Sequence, residues 1–488
     1  MDFKQGFNRD QLQMLSYDNM VSANSWARVV DIFVDILPLE SLGFNTNLAS
    51  EGSPPYHSSD LLKLYLYGYK NSIRSSRKLS KACKINIEVI WLLKGLHPSA
   101  RTIAYFRKDN SKAFKKAFRY FVGLLKDWKL IDGKCIAIDS FKIRAQNSLK
   151  NNFNQKKIDR HITYIDSKIA EYQHVLDQED SDLISSKITQ KQAKKKEYLQ
   201  LQKQLQQSEQ TQLSTTDPDA RSVVLHRNIV NVGYNIQAGC DAKHKLFINN
   251  DTGAVNDTHA LANMALDAKA LLQPKTMDVL ADKGYTTGKH IQRCSDNGIA
   301  TYCSPKAHSS TKNGLYDMQV FVYNKDDDTY RCPNNKTLIS TGNVYHKGNH
   351  RVKHYKNFKA CKNCILRTKC TKAKNGRLIE RSIYQEALEA NVNRVNNNPE
   401  YYKLRQQITE HQFGTIKRQW GFTYTLMKGK QNVLSEVNLI MICYNLRRLI
   451  SILGIDQLKM KLRRLCLYYL GLLKVRRSVL RHHFVLQK

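Results

Sequence analysis

The chain is expected to fold as an α/β domain built on a mixed sheet, preceded by an all-α region. Three observations predict this. Up to about residue 128 short helical segments follow one another. At Lys134 the texture changes, and KCIAIDSFKI has the apolar, β-branched character of a strand. From there strands alternate with helices. At 488 residues the chain exceeds the size at which one hydrophobic core keeps growing, so two or three domains are expected.

In the first region, Pro54-Pro55 is followed by Ser58-Ser59-Asp60, which supplies N-cap chemistry for LLKLYLYGYKNSI. RSSRKLSKACK, NIEVIWLLKGL and ARTIAYFRKDN come next, the last opened by Pro98-Ser99. They bring Arg74, Arg77, Lys78, Lys81 and Lys84 close together. Two readings stay open for residues 1–128: a helix-turn-helix-like DNA-binding region, or a plain helical bundle with a basic face.

In the α/β region, 129–453, NVGYNIQAGCDAKHKLFINNDTG reads as a hairpin. A helix in THALANMALDAKALL, a strand in MDVLADKGY and a further helix follow. Two insertions interrupt this domain. Residues 155–213 are rich in Lys, Gln and Glu, and Ile158, Ile162, Ile165, Ile169, Tyr172 and Leu176 keep a coiled-coil spacing. Tyr198, Leu201 and Leu205 resume it after Asp177-Gln178-Glu179-Asp180, the bend of a helical hairpin. The second insertion, 300–395, is polar and cysteine-bearing, without an evident core of its own. A long helix through Glu410, an amphipathic helix near 432–453 and a basic tail at 454–488 complete the chain. Residues 457–488 hold nine Lys or Arg and no acid.

Composition narrows the partner. With 78 Lys and Arg against 42 Asp and Glu, the formal net charge is +36. A field of that sign draws polyanions, and nucleic acid is the default. No run of 18 apolar residues occurs, and Val433–Leu453 is broken by Glu436, Arg447 and Arg448, so no membrane partner is expected. MDFKQGFNRD carries no basic start followed by an apolar core, so secretion is not expected. Eleven scattered cysteines suit a reducing cytoplasm.

Cutting and joining DNA asks for Mg²⁺ or Mn²⁺ fixed against the scissile phosphate, and such ions prefer carboxylate oxygens. The signature is a few acids on rigid elements, distant in sequence. Asp139 closes the apolar strand Cys135-Ile136-Ala137-Ile138, and Asp282 closes Val279-Leu280-Ala281. Acids at strand ends are also common helix caps, so neither alone separates catalysis from structure. Glu410 lies in YYKLRQQITEHQFGTIKRQWGF, with Lys417 two turns on, placed to meet a phosphate. A plain solvent-facing Glu is the other reading. Phe413 and Ile416 would seat this helix on the sheet, and Asp241 is the first substitute acid.

These segments resemble the DDE transposases of bacterial insertion sequences, in the group whose third acid sits in a Tyr-x2-Arg-x3-Glu-x6-Lys signature. PPYHSSDLLKLYLYGYKNSIRSSRKL and EVIWLLKGLHPSARTIAYFRKDN resemble the family's InsH-like N-terminal domain. IDSFKIRAQNSLKNNFN, VLADKGYTTG and EHQFGTIKR resemble its three acid blocks, and TDPDARS and GYNIQAGCDAKH stand between the first and second. The resemblance implies a ribonuclease-H-like catalytic domain and two ions held by Asp139, Asp282 and Glu410. It also implies that Lys417 contacts a phosphate. Tyr402 and Arg405 keep the Tyr-x2-Arg spacing, but four residues rather than three separate Arg405 from Glu410, which turns Arg405 off the acid's face.

The expected function is cleavage and strand transfer of an insertion sequence. Its DNA partners would be the terminal inverted repeats and the target, bound by a homodimer. A nuclease that never joins and an inactive DNA-binding regulator are the rivals. Arg74, Arg77 and Lys78 are further candidate DNA contacts. Cys332, Cys361, Cys364 and Cys370 read either as a structural zinc site or as free thiols. His411, beside Glu410, is expected in the helix surface or core rather than on a hard metal ion.

Overall fold

Short amphipathic segments with good N-caps build the first third of the protein. In the computed structural model, which describes residues 10, 12, 14–46, 54–178, 181–208, 210–226, 229–253, 255–305, 314–347 and 350–467, they form six main helices. These are α1 (Trp26–Asp35), α2 (Ser58–Lys70), α3 (Ser76–Ile85), α4 (Ile87–Leu92), α5 (Ala100–Asp109) and α6 (Ser111–Asp127). Ser25, Asn86 and Ser99 each accept an orphan backbone N–H at the start of their helices. The cap of α2 falls one residue before the expected serine: His57 Nδ1 accepts the Ser59 amide at 3.2 Å, and Ser58 is already helical.

The central strand β1 (Cys135–Arg144) is covered on both faces, as its unbroken apolar start requires. The helices α7 (Gln155–Leu176) and α8 (Asp182–Gln207) follow and pack along each other. Ile158, Ile165, Ile188 and Leu205 are buried between them and their base, and Lys195 meets Asp166 at 2.6 Å. The sheet then resumes with β2 (Arg221–His226), the long β3 (Ile229–Asp241) and β4 (Phe247–Thr252). Helix α9 (Leu261–Leu272), strand β5 (Met277–Ala281), helix α10 (Gly288–Asp296) and strand β6 (Ile299–Cys303) complete it.

The sheet is mixed. β3 runs antiparallel to β1 on one edge and to β4 on the other, while its first residues pair with β2. On the opposite side of β1, β5 and then β6 lie parallel. The spatial order is β2-β3-β1-β5-β6, with β4 also on β3.

The cysteine-bearing segment was expected to lack a core, and it has one. Strands β7 (Val322–Asn324), β8 (Thr329–Arg331), β9 (Thr337–Lys347), β10 (His350–Lys356) and β11 (Leu378–Ser382) form a second, antiparallel sheet. Phe321, Tyr330, Leu338, Tyr355 and Ile379 are its buried centre. Because β6 runs to Cys303, and α11 (Gln385–Asn397) packs on β6, the inserted unit is narrower than 300–395.

Three helices close the fold: α12 (Pro399–Gly414), α13 (Lys430–Leu453) and α14 (Ile455–Leu467). Every residue of α13 from Val433 to Leu446 is buried, because α2 and α6 cover one side and β4 the other. The N-terminal helices and the sheet thus share one continuous core. Two buried asparagines tie α13 to β4: Asn445 both donates to the Phe247 carbonyl and accepts its amide at 2.9 Å, and Asn438 Oδ1 accepts from Asn250 at 2.7 Å. The segment expected to begin a basic tail starts as α14, with Leu458 and Leu462 buried one turn apart; residues 468–488 lie outside the described residues. No single helix among the described residues is long and apolar enough to cross a membrane; α13 and α14 pass that test only as a pair bent by 115°.

Candidate active site

The parallel pairing of β1 with β5 decides the geometry. Ile138 stands opposite Ala281, so Asp139, which lies within β1 rather than closing it, and Asp282, the first residue past β5, follow side by side on adjacent strands. Helix α12 crosses β1 here, seated by Phe413, whose ring lies 5.0 Å from that of Phe141, and by buried Ile408 and Gln412. Ile416, just past its end, is fully buried.

Asp139 is held from three directions. Ser140 N–H donates to Oδ1 at 2.8 Å, while Thr409 Oγ1 and Arg405 Nη1 donate to Oδ2 at 3.1 and 3.2 Å. Burial nevertheless raises its pKa above the ordinary value, the charge of Asp282 adds to the rise, and Ser140, Arg405 and Thr409 oppose it. Asp282 caps the turn Lys283–Tyr285, its Oδ1 accepting the Gly284 amide at 2.7 Å. A side chain at Gly284 would stand 2.8 Å from Asp282 Oδ1 and 3.5 Å from Asp257 Oδ2, so the glycine permits a close approach of two acids.

Asp257 was missed in the sequence. It lies beyond β4 in an irregular segment, where no periodicity marks it. Its Oδ1 accepts from Asn235 and Gln237 at 2.8 and 2.7 Å, and Gln237 in turn accepts from Tyr285. Burial, and then the charges of Asp257, Asp139 and Asp282, drive the Tyr285 hydroxyl well above its ordinary pKa. Three carboxylates therefore bear electrostatically on one buried phenol.

Glu410 lies on α12 one residue beyond Thr409 and is exposed. Among the described residues no three His, Cys, Asp or Glu side chains are arranged so that they could hold a metal ion, so the acid triad does not converge as placed. The expected alignment of Lys417 with Glu410 assumed a continuous α-helix. Instead Thr415–Gln419 forms a π-helical turn, which breaks the count of 100° per residue. Lys417 is half-buried near Lys142 and Arg418, and burial, then those charges, lower its pKa.

Two proposed DNA contacts are corrected. Arg405 does not face solvent for a phosphate but pairs with Asp139, because one extra residue before Glu410 turns it onto the Thr409 face. Arg74 is 5% exposed and donates to the carbonyls of Tyr424 and Gly421, fixing the N-terminal helices to the loop after α12. Arg77 and Lys78 are exposed on α3 beside Lys81 and Lys84, and Tyr402 is half-buried on α12. His411 hydrogen-bonds Tyr444 at 2.9 Å, in keeping with a structural role.

Asp241 is removed as a substitute acid. It pairs in register with Ile136, three residues before Asp139 on β1, and accepts the amides of Gly133 and Lys243. Burial pushes its pKa up to about 6. A raised carboxyl stabilises the fold below the unfolded value near 4 and loses that contribution as pH rises through 6. Asp241→Asn should therefore gain stability relative to the wild type between pH 4 and 7, by about 3 kcal/mol at most. Denaturant unfolding at several pH values checks this; a difference flat with pH would refute it.

Cys332, Cys361, Cys364 and Cys370 line one small cavity in the inserted unit, and all eleven cysteines are free. Burial raises the Cys370 thiol, and the other three thiols add to the rise.

Two transposase family models match parts of the chain. Residues 15–109 match the family model "Transposase domain (DUF772)", and residues 331–450 match "Transposase DDE domain". Both matches support a DDE transposase of the insertion-sequence type. Glu410 falls inside the second segment, and Asp139 and Asp282 lie outside both. No curated protein matches. A solved structure, the piggyBac transposase synaptic complex with hairpin DNA determined by cryo-EM, is similar over 90% of this chain and 78% of its own at 8% identity. Its TM-score is 0.33.

Proposed function

We propose that this protein is a DNA transposase that cuts the ends of an insertion sequence and joins them to target DNA. The carrying observation is the side-by-side placement of Asp139 and Asp282 beneath α12. The strand order, with one antiparallel hairpin and two parallel strands around β1, supports a ribonuclease-H-like reading.

The oxygen chemistry of Asp139 and Asp282 suits Mg²⁺ or Mn²⁺. Both acids supply hard oxygens, and the half-buried, mutually repelling pair is relieved by a cation. Asp139 and Asp282 would hold two ions together with Glu410, brought in by α12; Asp257 is the competing third acid. Bound there, the ions supply Lewis-acid stabilisation of charge on the phosphate oxygens. Ser140, Thr409 and Arg405 keep Asp139 oriented and ionised. Lys417, Lys142 and Arg418 provide a positive flank for phosphates, and the exposed basic residues of α3 extend it.

In the first step water attacks the phosphorus at the element's end, a P–O bond breaks and a 3′ hydroxyl leaves. In the second that hydroxyl attacks a target phosphodiester, releasing a target 3′ hydroxyl, so the number of phosphodiesters is conserved. Two ends must be processed together, which calls for a homodimer on DNA.

Glu410→Gln and Asp257→Asn test the third ligand. Loss of Mg²⁺-dependent cleavage in Glu410→Gln, with activity kept in Asp257→Asn, is expected; the reverse would move the ligand to Asp257. Lys417→Ala should weaken binding to the element's ends and reduce the slope of log affinity against log salt by about one unit. An unchanged slope would remove Lys417 from the interface.

A further inference from the structure

The cysteines of the inserted unit take no part in the proposed reaction. Cys332 sits in the tight turn between β8 and β9. There the left-handed Asn335 (φ 52°) turns the chain so that Lys336 N–H donates to Cys332 Sγ at 3.4 Å. Cys361, Cys364 and Cys370 come from the segment between β10 and β11, and Asn334 Nδ2 reaches Cys364 Sγ at 3.5 Å. All four thiols are half-buried around a cavity of about 30 Å³, which Phe321 and Leu338 also line. Gly376 (φ 109°) presses on it so closely that an added Cβ would lie 2.5 Å from Cys361 Cβ.

Residues 357–377, which carry three of these thiols, contain only two short helices and no strand. The core cluster of the sheet beneath holds just five buried apolar side chains. A unit of that size ordinarily needs a staple. The same residues include seven Lys or Arg and no acid, a charge that an anionic centre would balance.

We propose that Cys332, Cys361, Cys364 and Cys370 bind one structural zinc ion as four thiolates. The thiols as placed do not yet form a ligating group. The ion draws them from the cavity walls to a common centre, at about 2.3 Å from each sulfur. N–H donors on Cys332 and Cys364 stabilise the thiolate form, and closure ties the β8–β9 turn to the 357–377 segment.

Metal analysis of the full-length protein tests this. About one zinc per chain is expected, with no iron. Cobalt put in its place should show thiolate charge-transfer absorption and the visible bands of a tetrahedral site. Cys364→Ser should lose the zinc, Cys370→His should keep it because imidazole also ligates zinc, and Cys466→Ser, outside the cluster, should be unaffected. Where Cys364→Ser is insoluble, mercurial titration of the wild type serves instead: zinc should be released as four thiols react. A folded wild type without zinc, iron in place of zinc, or zinc retained in soluble Cys364→Ser overturns the proposal.

Discussion

Changing Asp139 to Asn is expected to lower Mg²⁺-dependent cleavage of an element end by about 10²- to 10³-fold or more, while the protein still binds that DNA. Asparagine keeps Oδ1 for the Ser140 amide; its Nδ2 replaces Oδ2, where the Thr409 hydroxyl can turn to accept while the Arg405 contact is lost. What disappears is the negative charge beside Asp282. With one less negative charge at the site, affinity for DNA should stay level or rise. The wild type should also show a signature of the raised Asp139 pKa. Because the ionised form is the one that binds a cation, activity should fall on acidification earlier than an ordinary carboxylate allows. Higher Mg²⁺ should move that limb back to lower pH. Cleavage within a few-fold of wild type in Asp139→Asn would remove this acid from the chemistry.

The second large effect is on stability. Glu436 is fully buried on α13 between Arg74 and Arg107, which are 5% and 6% exposed. Its Oε1 accepts the Leu426 amide at 2.8 Å, and Oε2 stands 3.8 Å from Arg74 Nη1. Burial raises its pKa, and the two guanidiniums oppose the rise. Glu436→Ala leaves two buried cations without a counter-charge, and the loss should be about 3–5 kcal/mol. Replacing Arg74, Arg107 and Glu436 together by apolar residues should recover much of it, since the burial cost of the charges goes with them. Denaturant titration reads both. A cost under about 1 kcal/mol for Glu436→Ala would show that these charges do not depend on one another.

This cluster also shows where sequence reasoning stopped. Arg74 stood in a basic run and was taken as a DNA contact, yet its partners, Gly421, Tyr424 and Glu436, lie more than 340 residues away. Nothing local separates a buried Arg from an exposed neighbour such as Arg77. The strands of the main sheet were legible where both faces are buried, as in Cys135–Ile138 and Val279–Ala281; Asp282 does follow the end of its strand, whereas β1 continues past Asp139 to Arg144. Asp257 was not legible, because hydrogen bonds from Asn235 and Gln237, not a periodic element, place it. The second sheet was hidden by its half-polar strands, which bury only one side chain in several. Arg405 was mislocated as a phosphate contact, although the extra residue before Glu410 had already turned it off that acid's face.

The most direct test of the account is joining of a pre-cut element end to target DNA by the full-length protein with Mg²⁺, compared between wild type and Asp282→Asn. The account predicts joined product from the wild type and none from Asp282→Asn, with both proteins binding the end. Joining at the wild-type rate by Asp282→Asn, or a wild type that cuts ends and never joins them, would contradict it.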